Sequence, residues 1–220
     1  MAPIISQVRA LEIIQNGGVV AVPTETAYGL VTDATNDTAV QKIYTIKGRS
    51  EAKPILVLVN SLEMAMRYAE FSDKALELAQ KYWPGPLTLV LYRRNNSPQP
   101  PLSRKWEGAF PLLRIREGEG GLLSSYLNLA DNTIGVRWTS NEVCQHIITQ
   151  LGKPITAPSA NVTGMKTCYT VDEIQAQYEG HDIQPDGIVD GGMLHEGEVS
   201  TLAKVIGDRV GVIRQGSINV

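Results

Sequence analysis

The sequence predicts an α/β domain built around a twisted, mixed sheet. Short continuous apolar runs alternate with segments whose apolar residues recur at helical spacing, and cap or breaker residues stand at most of the joins. The 220 residues suffice for a sizeable core, and 43% hydrophobic with 20% charged residues is ordinary globular composition. No internal repeat and no linker divides the chain, so residues 1–220 read as a single domain.

The elements follow in order. Ile5 to Gln15 carries Ile5, Val8, Leu11, Ile13 and Ile14 at helical spacing, and Asn16-Gly17-Gly18 ends that helix with glycines that tolerate a left-handed cap. Val19 to Val22 is a buried strand by its unbroken apolar character. Asp37 caps a second helix that turns Val40, Ile43, Tyr44 and Ile46 inward and delivers the chain to Lys47. Pro54 to Val59 reads as the strongest strand. Helices follow over Leu62 to Ala69 and, behind Ser72, over Asp73 to Tyr82.

Trp83-Pro84-Gly85-Pro86 stops the helix rigidly, and Leu87 to Tyr92 is the next strand. Residues from about 95 to 130, rich in proline and glycine at their flanks, form an excursion from the core with a strand at Leu112 to Ile115. Thr133 to Arg137 is a strand ending on a cation, Ser140 caps a helix through Leu151, and Pro154 to Ala157 is a short strand. Thr170-Val171-Asp172-Glu173 fits a capping box. Gly187 to Val189, Ser200 to Ile206 and Val210 to Arg214 are strand-like.

Composition excludes several functions. A net charge of −3 argues against a surface wholly devoted to nucleic acid but leaves room for a local basic concavity. Two cysteines without a CxxC, and three histidines, give neither a zinc signature nor a disulfide framework, so no metal ligands are expected. The start, Met1-Ala2-Pro3-Ile4-Ile5-Ser6, carries no signal-peptide pattern, and no apolar stretch approaches the roughly 20 residues that span a bilayer. A cytoplasmic protein without a membrane partner is expected.

The polar residues gather at strand ends. Thr24 and Thr26 follow the first strand, Lys47 and Arg49 precede the third, and Arg137 ends a later one. Ser159 and Asn161 follow another, Ser200 opens the next and Arg214 closes the last. Polar groups at strand ends are what an α/β binding crevice is made of. Four cations without a histidine suit neutralisation of phosphates and carboxylates more than acid/base work. Singly, each also fits a salt bridge, a surface charge or a cap. Gly164-Met165-Lys166-Thr167 lacks the upstream glycine of a P-loop, and neither GxGxxG nor GxSxG is present.

Together these residues form a pattern. Pro23-Thr24-Glu25-Thr26-Ala27-Tyr28-Gly29-Leu30, then Lys47-Gly48-Arg49, then Ala157-Pro158-Ser159-Ala160-Asn161 closely resemble the YrdC-like threonylcarbamoyl-AMP synthases, whose signature is K-x-R followed by S-x-N. Trp83 to Thr88, Thr133 to Arg137, Glu198 to Thr201 and Ile213 to Gly216 resemble further blocks of that family, in its order, so the resemblance covers nearly the whole chain. It implies a YrdC-like fold with a large basic concave cavity. It also implies condensation of L-threonine, bicarbonate and ATP into threonylcarbamoyl-adenylate and pyrophosphate, with Mg2+ on the triphosphate. The product would pass to partner proteins that modify tRNA.

By the same resemblance, Lys47, Arg49, Ser159 and Asn161 are the catalytic set. Lys47, Arg49, Thr133, Ser159, Asn161 and Arg214 would bind ATP, and Thr24, Thr26, Tyr28, Arg137 and Ser200 would bind threonine. The chain departs from the family at Thr167-Cys168-Tyr169-Thr170, where Pro-Ser-Pro-Thr is usual, and at Leu202-Ala203-Lys204, where Val-Val-Asp is usual. The 95–130 excursion is longer than expected, and the extra C-terminal domain of longer members is not expected here. Two other readings stand beside the synthase: a double-stranded RNA or tRNA-binding module without catalysis, and a relative making another carbamoyl-adenylate.

Overall fold

The structure is a computed structural model that describes residues 1–48, 55–94, 121–127, 131–197 and 199–220. Among the described residues two mixed sheets and six α-helices make up the α/β fold. The smaller sheet has the order β1 (Ile4–Ile5), β8 (Gly187–Val189), β2 (Val20–Pro23), β3 (Tyr28–Val31). The larger runs β10 (Arg209–Arg214), β9 (Thr201–Ile206), β5 (Leu87–Tyr92), β6 (Thr133–Trp138), β4 (Val57–Val59), β7 (Ile155–Thr156).

The two sheets meet along one seam. Leu30 N donates to Pro158 O at 2.8 Å, Thr156 N to Thr32 O at 3.0 Å and Ala160 N to Tyr28 O at 2.8 Å. Through these bonds β3 extends the larger sheet beyond β7, and the chain after β7 is held as firmly as a strand. The central strands β2, β5 and β6 are almost wholly buried, and β5 and β6 carry Thr88, Thr133 and Arg137 inside with their apolar residues.

The helices are α1 (Gln7–Gln15), α2 (Asp37–Lys47), α3 (Leu62–Tyr68), α4 (Asp73–Tyr82), α5 (Glu142–Leu151) and α6 (Val171–Tyr178). Several boundaries differ from the sequence reading. Ile5 belongs to β1, and Ser6 caps α1 by accepting from Arg9 N. The cap of α2 is Asn36, whose side chain accepts from Ala39 N at 3.1 Å. Asp37 instead stands in the first turn and accepts from Ser125 N. Likewise Asn141, not Ser140, caps α5 by accepting from Cys144 N.

The strand β3 was not expected, because Tyr28-Gly29-Leu30-Val31 lies directly after a polar stretch. It pairs antiparallel with β2, from Pro23↔Tyr28 to Val20↔Val31. The expected strands over 54–59 and 154–157 are shorter than read, at Val57–Val59 and Ile155–Thr156. The capping box at Thr170 is present, with both reciprocal bonds to Glu173. Arg49, Pro54, most of the 95–130 excursion with the Leu112–Ile115 strand, and Glu198 lie outside the described residues.

Candidate functional site

A cavity of about 440 Å³ opens where the β2–β3 turn, the chain after β7 and the face of the larger sheet converge. Its floor is dictated by strand alternation. Thr133, Gly135 and Arg137 share one face of β6, and Ser200, Leu202 and Lys204 recur at the same period along the start and body of β9. Between them β5 presents Val90, which pairs with both Gly135 and Lys204. Gly135, Arg137, Val90, Ser200 and Leu202 all line the cavity. A Cβ on Gly135 would stand 3.3 Å from Leu56 Cβ and 3.4 Å from Thr88 Cγ2, so glycine keeps this part of the floor flat.

One wall is the turn between β2 and β3. Thr24 Oγ1 donates to Ala27 O at 2.6 Å and accepts from Thr26 N at 3.2 Å, which closes the turn and brings Thr24, Thr26 and Tyr28 onto the cavity. The Tyr28 hydroxyl donates to Gly192 O at 2.8 Å and accepts from Gly191 N at 2.9 Å. Burial raises its pKa above the usual phenol range, opposed by the Gly191 bond.

The charged residues among the described lining are Arg137 and Arg214. Arg137 is 3% exposed, and among the described residues its terminal nitrogens make no hydrogen bond. Arg214 reaches back over β9: Nη2 donates to Ser200 O at 2.9 Å and Ser200 Oγ at 3.0 Å, and Nε to Ser200 O at 3.2 Å. Burial lowers the pKa of Arg214, and the charge of Arg137 lowers it further. Two guanidinium groups that repel each other across one cavity favour an anion placed between them.

Ser159 lines the cavity, whereas Lys47, Asn161 and Thr133 stand outside its lining. Lys47, 3% exposed at the end of α2, donates through Nζ to Asn161 O at 2.7 Å and to Ser159 O. Asn161 uses Nδ2 to hold Val162 O and Met165 O, both at 2.9 Å, while its buried Oδ1 has no hydrogen-bond partner among the described residues. Lys47 and Asn161 therefore fix the loop that carries Ser159. Thr133 donates to Asp131 at 2.6 Å, and Asp131 also receives Lys204. These two hydrogen bonds, Lys204's first, hold the exposed Asp131 carboxyl below its usual range.

The sequence reading gave no role to Glu25, Gly135, Thr167 or Leu202. Alternation along β6 and β9 points to Gly135 and Leu202 once Arg137 and Ser200 are singled out. Thr167 opens the divergent run Thr167-Cys168-Tyr169-Thr170, whose residue types carry no sign that it reaches the cavity. Among the described residues no group of three or more His, Cys, Asp or Glu side chains could hold a metal ion, and no helix is long and apolar enough to cross a membrane.

The profile of the Sua5/YciO/YrdC family, described as "Telomere recombination", matches residues 12–105 and 100–216. A threonylcarbamoyl-AMP synthase of Pyrococcus abyssi is 32% identical over 194 residues, covering 88% of this chain and 48% of that protein. A threonylcarbamoyl-AMP synthase of Bacillus subtilis is 31% identical over 219 residues, covering 98% and 54%. Among solved structures, P. abyssi Sua5 complexed with L-threonine matches with a TM-score of 0.78 at 28% identity, over 96% of this chain and 55% of that one. The chain thus spans about half the length of the curated relatives it matches.

Proposed function

The chain belongs to the Sua5/YciO/YrdC family, and on that footing we propose that it is an L-threonylcarbamoyladenylate synthase. It condenses L-threonine, bicarbonate and ATP and releases pyrophosphate. One observation carries the reading: Arg137 and Arg214 share a cavity with hydroxyls from Thr24, Thr26, Ser159 and Ser200. A structure of similar fold was solved with L-threonine bound, which supports the same substrate here.

The chemistry explains why such a cavity suits it. The threonine nitrogen bonds to the bicarbonate carbon and water leaves, giving a carbamate. A carbamate oxygen then bonds to the α-phosphorus of ATP as the bond to the bridging oxygen breaks, and pyrophosphate departs with that electron pair. Carboxylate, bicarbonate and triphosphate repel one another, so fixed cations and exclusion of water from the labile carbamate are the main requirements. Arg137 anchors the threonine carboxylate, with Thr24, Thr26, Tyr28 and Ser200 around it. Tyr28 contributes its ring, since its hydroxyl is committed to Gly191 and Gly192.

Arg214, Ser159, Thr133 and Arg49 serve the nucleotide. Lys47 and Asn161 serve by shaping the loop under Ser159, and the Lys47 charge adds to the positive potential there. No carboxylate stands among the described lining residues, so magnesium would come with the triphosphate and supply charge neutralisation there. The labile product passes to proteins that transfer it to tRNA.

Pyrophosphate release is measured with protein, ATP, bicarbonate and threonine, and with each omitted in turn. Release that depends on threonine is expected. Release that ignores threonine, or that appears only when carbamoyl phosphate replaces it, overturns the reading.

A further inference from the structure

Glu25 lies between Thr24 and Thr26, which both line the cavity, yet Glu25 is not part of the lining. Its side chain is 12% exposed, and its two oxygens have different neighbours. Oε2 accepts from Thr139 Oγ1 at 2.7 Å, and Thr139 Oγ1 accepts in turn from Asn141 N, the cap of α5. Oε1 lies 3.3 Å from Arg137 Nε. Among the described residues neither of these last two atoms has a hydrogen-bond partner, and both are buried.

A guanidinium presents its Nε edge and its terminal edge in one rigid plane. A carboxylate anchored through Thr139 and seated beside Nε fixes that plane and leaves the terminal nitrogens for another anion. It also offsets the cost of burying Arg137, whereas among the described residues Arg214 bonds to the neutral groups of Ser200. Arg137 is therefore the oriented cation of the pair.

We infer that Glu25 is a positioning residue for Arg137, setting the guanidinium so that its terminal nitrogens grip the carboxylate of the amino-acid substrate. This rests on the proposed reading of Arg137 as the carboxylate anchor. Glu25 touches no substrate; it acts through Arg137.

Threonine binding and, separately, ATP binding are titrated calorimetrically in wild type, E25Q, R137K and the E25Q/R137K double variant. Glutamine keeps an oxygen for Thr139 and removes the negative charge beside Nε. Loss of one partner of a buried charge pair is expected to weaken threonine binding about ten-fold or more in E25Q. ATP affinity should stay within about two-fold, and the double variant should lose less than the sum of the two single losses. If E25Q does not unfold cooperatively, E25D, which keeps the charge on a shorter arm, carries the comparison and should show an intermediate loss confined to threonine.

Wild-type threonine affinity in the folded variant, an equal loss for ATP, or fully additive losses overturn the assignment of Glu25. A wild-type protein that fails to bind threonine overturns the proposed function itself, and the assignment with it.

Discussion

Lys47 Nζ donates to the main-chain carbonyl of Asn161 at 2.7 Å, tying the last residue of α2 to the loop that follows β7. Lys47 and the loop of Ser159 and Asn161 are thereby one mechanical unit. The side chains of Lys47 and Asn161 both act on the backbone of the loop rather than lining the cavity.

Lys47→Met keeps the side-chain volume and removes the donor. It leaves the carbonyls of half-buried Ser159 and buried Asn161 without this donor, which is expected to destabilise the fold by about 2–3 kcal/mol. Urea unfolding of the purified variant without ligands measures this. An unchanged midpoint contradicts the role of Lys47 as a clamp.

Arg137→Lys removes the planar fork while keeping the charge. Arginine and lysine are not equivalent at a site that grips a carboxylate through two nitrogens. On the proposed function, the KM for threonine should rise about ten-fold or more. The KM for ATP should change little, because Arg137 is assigned to the amino acid. A matching rise for both substrates, measured as pyrophosphate release, contradicts that division.

Gly216 packs against the chain that leads into β9. A Cβ there would stand 2.0 Å from Val199 O and 2.7 Å from Thr201 N, and its own N–H donates to Thr201 Oγ1 at 3.1 Å. Gly216→Ala must push the two backbones apart, at an expected cost of about 2 kcal/mol. For a chain of this size that lowers the melting temperature by about 4–8 °C, readable by calorimetry. The same shift moves Arg214 away from Ser200, so activity should fall more than the folded fraction does.

Burial pushes the Cys168 thiol up to about 11, with Glu173 raising it further and Lys47 opposing. In the unfolded chain this thiol titrates near its ordinary value of 9.0. Below pH 9 both states hold the proton and stability does not depend on this group. From pH 9 toward 11 the unfolded chain releases it first, so stability falls as pH rises. Urea midpoints between pH 8 and 10 should decline less steeply in Cys168→Ala than in wild type. Parallel declines would exclude a contribution from Cys168.

The elements with a mainly apolar run or a clear helical period were legible in the sequence. Leu87–Tyr92, Gly187–Val189 and Asp73–Tyr82 begin and end where the pattern and Ser72 say they should. The caps misread were those with two adjacent candidates, Asn36 before Asp37 and Ser140 before Asn141. Which side chain turns back to the helix depends on what else is near; Asp37 has Ser125 N to hold. The strand Tyr28–Val31 escaped notice because half of its pairing is with the distant residues 156–160.

The site was legible in part for the same reason. Thr24, Thr26, Tyr28, Arg137, Ser159, Ser200 and Arg214 come together on one cavity. That Lys47 serves the loop from behind depends on a bond across 114 residues, which no local spacing encodes. Glu25 stands within the Pro23-to-Leu30 motif, and its pairing with Arg137 depends on how the β2–β3 turn meets the end of β6.

The parallel pairing of β5 with β9 joins segments far apart in sequence, and Thr88 meets Ser200 across 112 residues. Closing so long a loop is entropically costly and is rewarded only after both strands are in place. The cavity floor is made of this pairing, and no smaller piece of the chain contains it. During refolding, secondary structure should therefore return well before the ability to bind a ligand. Ligand binding thus reports the last step of folding, and a bound substrate should slow amide exchange most in β5 and β9, far beyond the atoms it touches.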